Sequence, residues 1–482
     1  MSLSLLAGCG GSGIQFNEVG DLKGFAGGVT SDEPQATLIG RGILSKGGTA
    51  ADAAAATYMA LAVTYPGAAS LGGGGACVVY DRVTNKGYAL EFLPKSAGRP
   101  GAVAVPGNVR GMAALQARFG KLRWTQIVSP AESLAAIGHS MSRATARELA
   151  AAGPELLGDA GLATVFRSGA GEPLREGERI RQPMLGDVMS RLRVSDGTDL
   201  YTGSFAERFV RDAAAAGGTI TVEDMRAYAA VWSDPQSFEY DNIKMLMPPS
   251  VGAAAILRRL WETGVRGPGI LDTRGTYDRA RLAAALDKAY AGANTGAPAG
   301  STAATGFAAI DQYGNGVACA VSMLRPFGLR KLGQQSGILM APDPSSAPDE
   351  MAAFTPIVGA NTNVKQVFVA AAGTGGAPAA AALAQVLAGG LVERHQIGTV
   401  EAAGRYFRTK TADPMLIENA LDPKASDALA KLGIATRASG PFLGRVNAIV
   451  CTEGLPRSPD TCGFASDPRG FGLAEGGRTV LP

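Results

Sequence analysis

The stretch "TAADAAAATYMALAVTYP", Thr49 to Pro66, limits the fold more than any other. It has the composition of a helix but no polar face, and Pro66 ends it. A helix apolar on most sides must be covered on most sides, so it belongs between other layers. The preceding "EPQATLIGRGILSKGG" places Ala36, Leu38, Ile39, Ile43 and Leu44 at helical spacing, and Gly47 and Gly48 stop it. Directly after Pro66 comes "SLGGGGACVVYD", four glycines and then a strand, with "KGYALEF" as its hairpin partner.

The same alternation of strands and helices runs through the chain. "VPGNVRGMAALQARFG" and "TQIVSPAESLAAIG" open a mostly helical stretch that continues through "TVEDMRAYAAVW". "FEYDNIKMLMPP" reads as one strand, and "AAAILRRLWETGV" and "DRARLAAALDKAYAGA" as helices. After a low-complexity linker, "GSTAATGFAAIDQYGNGVACAVSM" (Gly300 to Met323) reads as a β-hairpin turning at "QYGNG". Strands are expected near "SGILMAP", "KQVFVAAAG" and "RVNAIVC", with the helix "APAAAALAQVLAGGLV" between the last two. This order predicts a layered α/β sandwich, strands central and helices outside, with a helical insert at about 110–230.

Composition removes several functions. Apolar residues at 46% and charged residues at 18% describe a folded chain, and a net charge of +3 gives no footprint for nucleic acid. The two histidines, His139 and His395, exclude a His-rich metal site. His139 follows a predicted helix and suits a capping or surface role, and His395 in "VERHQ" suits a solvent-facing one. The five cysteines form no C-x-x-C, which argues against zinc and thioredoxin-like chemistry. Cys77 and Cys319 lie in apolar strands and read as buried small hydrophobes. Cys451 and Cys462 bracket "TEGLPRSPDT", and a hairpin there would bring them together, which allows a disulfide in an oxidising compartment. No run of 18 or more apolar residues appears.

"LAGC", Leu6 to Cys9, resembles a bacterial lipobox, whose cysteine is acylated. Only eight residues precede Cys9, so use of the motif implies a start further upstream; a chance match is the alternative. Used, the motif implies a periplasmic protein held to the cell envelope by a lipid anchor only.

From about Gly24 to Gly476 the sequence resembles the γ-glutamyltranspeptidases, of the N-terminal-nucleophile hydrolase superfamily. "GGTAADAAAATYMALAVTYPGAASLGGGGACVVYD" is similar to the family's G-G-N-A-x-D-A-A block and the S-G-x-G-G-G-x-F block after it. "VPGNVRG", "LYTGSFAERFVRDAAAAGGTITVEDMRAY", "FGLRKLGQQSGILM", "GTGG" and "ASDPRG" follow in the family's order. The resemblance implies a four-layer αββα sandwich. It also implies a division into a signal and linker (1–23), a large-subunit-like region (24–299) and a small-subunit-like region (300–482). Family members cut themselves before a threonine, whose hydroxyl then attacks a γ-glutamyl amide such as that of glutathione. No cofactor or metal is implied.

The resemblance also locates departures. The family hairpin begins T-[TA]-H-x-S-V-x-D; its aspartate matches Asp311, and counting back puts the nucleophile on Ala304. The histidine becomes Gly306 and the serine Ala308. Thr305 is one residue late, on the opposite strand face, and Thr302 is two early. Gly375 and Gly376 match the oxyanion glycines, and Ser322 a threonine that supports the nucleophile. The substrate arginine becomes Leu93, with Lys95 and Arg99 nearby but out of register. Leu324 replaces an asparagine, Ser345 and Ser346 an aspartate pair, and Ala352 and Ala353 a serine pair. Burying a substrate carboxylate against such side chains is costly. The expected function is therefore an uncleaved envelope protein that binds an unidentified small molecule or peptide. The alternative is a self-processing amide hydrolase or acyltransferase that uses Thr305 or Thr302 on an altered substrate.

Overall fold

In the computed structural model, the described residues are 24–265, 279–291, 298–349, 353–410 and 412–479. Cys9 and Ala352 lie outside them. Two antiparallel sheets stack face to face. The first has seven strands in the order Leu473–Thr479, Gly24–Ser31, Ala304–Asp311, Gly316–Ser322, Gly74–Asp81, Lys86–Phe92, Val231–Ser233. The second has six: Cys462–Ala465, Arg445–Leu455, Gln366–Thr374, Thr355–Asn361, Ile243–Met247, Gln236–Tyr240. Val78, Ala308, Ile310 and Ala318 of the first sheet meet Val358, Val367, Ala370 and Ile449 of the second in one apolar layer. Helices cover both outer faces, which completes the αββα sandwich.

The helix Ala50–Thr64 is buried at all 15 residues, as its missing polar face requires. Thr49 and Asp52 close its start with a reciprocal capping box. Asp311 then fastens this helix to the hairpin. Its carboxylate accepts from Tyr313 N (2.9 Å), Asn315 N (3.0 Å) and Asn315 Nδ2 (2.9 Å) in the turn, and from Ala50 N (2.9 Å) at the helix start. One buried carboxylate thus sets both the turn and the docking of the helical layer.

Four expectations need correction. "FEYDNIKMLMPP" is a hairpin, Gln236–Tyr240 and Ile243–Met247, because Asp241 takes a left-handed φ of 50° and turns the chain. "SGILMAP" forms only isolated bridges, Gly72 with Met340 and Val103 with Pro342 among them. Cys77 and Cys319 are buried but also bonded to each other, because strand register sets them directly opposite. His139 is buried, only 7% exposed, whereas the side chain of His395 is exposed as expected. Cys451 and Cys462 are paired across their strands, as the hairpin between them allows.

His139 Nδ1 lies 3.4 Å from the Leu134 carbonyl in the last turn of Trp124–Ile137, so the capping contact holds although the surface placement does not. Burial lowers its pKa to about 4, against a weaker upward pull from the Leu134 carbonyl. The unfolded chain therefore binds the extra proton first. Stability from this group is complete above about pH 6.5 and is lost as pH falls towards 4, by up to about 3 kcal/mol. Urea unfolding at pH 7 and 4.5 should show wild type losing about 2 kcal/mol more than His139→Leu over that interval.

Candidate active site

The strand Ala304–Asp311 enters the sandwich with one side unpaired. Its ladder with Gly24–Ser31 starts only at Phe307, opposite Ser31. The carbonyls of Ala304 and Gly306 therefore need other partners. Two side chains from the facing sheet supply them. Arg445 Nη2 donates to Ala304 O (2.9 Å) and Asn447 Nδ2 to Gly306 O (3.0 Å). The match is geometric: residues two apart on one strand share a face, and so do the carbonyls they reach.

Asp32, just past the end of Gly24–Ser31, binds this pair together. Its Oδ1 accepts from Asn447 Nδ2 (2.9 Å), and its Oδ2 accepts from Thr305 Oγ1 (2.9 Å) and lies 3.6 Å from Arg445 Nη1. Arg445 Nη1 also donates to Tyr65 Oη (3.0 Å). Both Asp32 and Arg445 are buried. Burial opposes the guanidinium charge, but Asp32 and Tyr65 more than offset it and raise the Arg445 pKa further. Near them the Glu148 carboxyl packs against Gly67, and burial holds its pKa well above the carboxylate range despite Arg445.

Of the predicted site residues, Ala304 and Thr305 touch this clamp. Ala304 is 3% exposed and joins the apolar cluster of the second sheet, with Val369 and Ala371. Two residues on, a Cβ on Gly306 would lie 2.7 Å from the Ala372 side chain, so this strand face looks at the second sheet. Thr305 is fully buried on the opposite face, with Phe307 and Ala309, which pack into the helical layer. Thr302 sits half-buried in the segment before the strand. Ser322 Oγ donates to Ala303 O (3.0 Å) and accepts from Leu324 N (2.9 Å). Met323 N also donates to Ala303 O (2.8 Å), so the carbonyl before Ala304 holds two donors.

Gly375 and Gly376 have φ of 101° and 86°, in the left-handed region that favours glycine. The chain itself lies over them: Gly300 N donates to Gly375 O (3.1 Å), and a Cβ on Gly376 would stand 1.9 Å from Pro298 O. Because that obstacle is backbone, Gly376→Ala is expected to cost about 2 kcal/mol or more and to loosen residues 298–301, read as a lower melting temperature and faster proteolysis there.

The positions that the resemblance matches to the glutamyl clamp hold uncharged residues in this sequence. Leu93 is half-buried, with its carbonyl accepting from Tyr228 Oη (2.8 Å). Leu324 is fully buried at φ 61°, and Ala353 is buried. Ser345 and Ser346 are exposed; Ser345 Oγ turns to Asp343 (2.6 Å). Lys95 is exposed and lies over the Tyr228 ring, 4.9 Å from its centroid, and Arg99 is exposed as well. Sequence reasoning missed Asp32, Tyr65, Arg445 and Asn447. The available signal was "GRVNAIV", where Arg445 and Asn447 put two polar residues on one face of an apolar strand.

The profile of the γ-glutamyltranspeptidase family matches residues 36–261. Among curated relatives, glutathione hydrolase 2 of Arabidopsis thaliana is 33% identical over 56% of this chain and 49% of its own length. The glutathione hydrolase proenzyme of Escherichia coli is 31% identical over 52% of this chain and 47% of its own length. The chain thus spans about half the length of the curated relatives it matches. The solved structure of cephalosporin acylase from Bacillus halodurans has the same fold, with TM-score 0.74 at 19% identity over 98% of this chain and 99% of that one. Helicobacter pylori γ-glutamyltranspeptidase superposes with TM-score 0.50 at 28% identity over 58% of this chain and 84% of its own. The sandwich is thus of the N-terminal-nucleophile hydrolase type, and the chain resembles the γ-glutamyltranspeptidases, whose family profile covers a little under half of it.

Proposed function

We propose that this protein stays one uncut chain, does not transfer γ-glutamyl groups, and acts as a binding protein at the bacterial cell envelope. The observation that carries this reading is Ala304. A methyl group stands where the resemblance puts the family's nucleophilic hydroxyl, and Arg445 holds the Ala304 carbonyl. The segment 298–301 supports it, because it packs on Gly375 and Gly376, the pair that the resemblance matches to the oxyanion glycines. The two disulfides suit an oxidising compartment such as the periplasm, and acylation of Cys9 would hold the chain there. Incubation with a chromogenic γ-glutamyl anilide and with glutathione tests the catalytic half. No release of anilide or glutamate above buffer is expected; turnover that scales with protein and is lost in Thr305→Ala contradicts it.

A second reading has one observation in its favour. Thr305 Oγ1 donates to Asp32, and Arg445 polarises the Ala304 carbonyl. These are a nucleophile, a base and an oxyanion donor around the Ala304–Thr305 bond. Cleavage there would free Thr305 as an N-terminal nucleophile, but on the helical face of the sheet rather than the face that looks at the second sheet.

A further inference from the structure

Three hairpin turns meet at one end of the sandwich. Arg82 N donates to Asn315 Oδ1 (2.9 Å), Asn85 Nδ2 to Thr362 O (2.8 Å) and Arg82 Nε to Lys365 O (3.0 Å). These bonds tie turns 82–85 and 312–315 of the first sheet to turn 362–365 of the second, so the three form one surface. At their tips stand Val83, 86% exposed, Val364, 52% exposed, and Tyr313, 41% exposed. Single exposed apolar residues are ordinary, but three on turns bonded to one another make a patch.

The same turns are basic. Residues 81–86, 312–315 and 362–365 hold Arg82, Lys86 and Lys365 against one carboxylate, Asp81. Asp81 is engaged within its own turn, where it accepts from Thr84 N (3.0 Å) and Thr84 Oγ1 (2.6 Å). Lys121 joins the patch, its Nζ 5.7 Å from the centre of the Tyr313 ring. Lys86, Lys121 and Lys365 are exposed and make no ion pair among the described residues. Lys244 and Asp234, which line the groove beside Lys86, offset each other. Apolar tips flanked by lysines suit a bilayer with anionic headgroups, where the tips enter the acyl boundary and the ammonium groups meet phosphate. Strand register also sets Gly27 opposite Asp311, so the strand Gly24–Ser31 begins at this end. An acyl chain on Cys9, fourteen residues before Gly24, would tether the protein by the same end.

We propose that this end of the sandwich docks on an anionic lipid bilayer, with Val83, Tyr313 and Val364 in the headgroup boundary and Lys86, Lys121 and Lys365 on lipid phosphates. The inference rests on the envelope placement above, but on neither the acylation of Cys9 nor the state of the Ala304 bond. Cosedimentation with vesicles tests it, using the full chain with Cys9→Ser so that no acyl group contributes. Vesicles of phosphatidylcholine mixed with phosphatidylglycerol should bind about tenfold or more tighter than phosphatidylcholine alone, and salt should reduce the difference. Val83→Ser with Val364→Ser, and separately Lys86→Glu with Lys365→Glu, should each weaken that binding about fivefold or more, with an unchanged circular-dichroism melt. Lys424→Glu with Lys431→Glu makes the same change in net charge on the helix Pro423–Lys431 and should leave binding within about twofold. No preference for the mixed vesicles, undiminished binding by either folded turn variant, or an equal loss in the Lys424 and Lys431 variant would overturn the proposal. None of these outcomes alters the anilide assay, so the surface and the catalytic reading fail separately.

Discussion

Ala304→Thr is expected to convert a stable single chain into two fragments, one ending at Ala303 and the other starting at the introduced threonine. The carbonyl that must be attacked, Ala303 O, already holds two donors, Ser322 Oγ at 3.0 Å and Met323 N at 2.8 Å. Such donors stabilise the oxyanion of an acyl shift. On the proposed reading, the part that Ala304 lacks is the hydroxyl. In the variant, the introduced hydroxyl would attack the Ala303 carbonyl carbon. The peptide bond between Ala303 and the new threonine would break, with a proton passing to the threonine nitrogen, and water would hydrolyse the resulting ester. The added atoms enter a packed layer, a cost of about 1–3 kcal/mol, which leaves room for folding. Ala304→Ser tests the same chemistry with less bulk, and Ser322→Ala added to Ala304→Thr should slow the cut about tenfold or more. Intact mass over days reads all three. A folded Ala304→Thr that never cuts would show that a hydroxyl at position 304 is not enough for cleavage.

Arg445→Met is expected to give the largest loss of stability of any single change discussed. It removes the hydrogen bonds to Ala304 O and Tyr65 Oη and leaves Asp32 buried without its cation. Breaking a buried pair from one side costs about 3–5 kcal/mol, because the remaining charge keeps its desolvation penalty. Adding Asp32→Asn should recover at least about 1 kcal/mol, since the orphaned charge goes with it. Chemical denaturation of the two single variants and the double variant measures this coupling. If Arg445→Met alone costs under about 1 kcal/mol, the clamp does not hold the hairpin start as described.

How much of this was legible depends on the range of the interaction. The buried helix Ala50–Thr64 and the hairpin at 304–322 follow from local pattern: no polar face in one, alternation and a Gly-Asn turn in the other. The absence of a hydroxyl at position 304 was legible because Asp311 fixes the register of a short hairpin. The clamp was not. Asp32, Tyr65 and Arg445 come from three distant parts of the chain, and each alone reads as an ordinary loop, helix-end or strand residue. The Cys77–Cys319 bridge was hidden for the same reason, because it depends on the pairing of two strands far apart in sequence. The turn at Asp241 was missed because an apolar run on either side outweighed one Asp-Asn step.

The most direct test of the central claim is the intact mass of the purified wild-type chain, with a denaturing gel, followed over several days. The account predicts one species in which the Ala303–Ala304 and Ala304–Thr305 bonds are both intact. A stoichiometric pair of fragments, with a new N-terminus at Thr305 or Thr302, would contradict it and identify the nucleophile of an active enzyme.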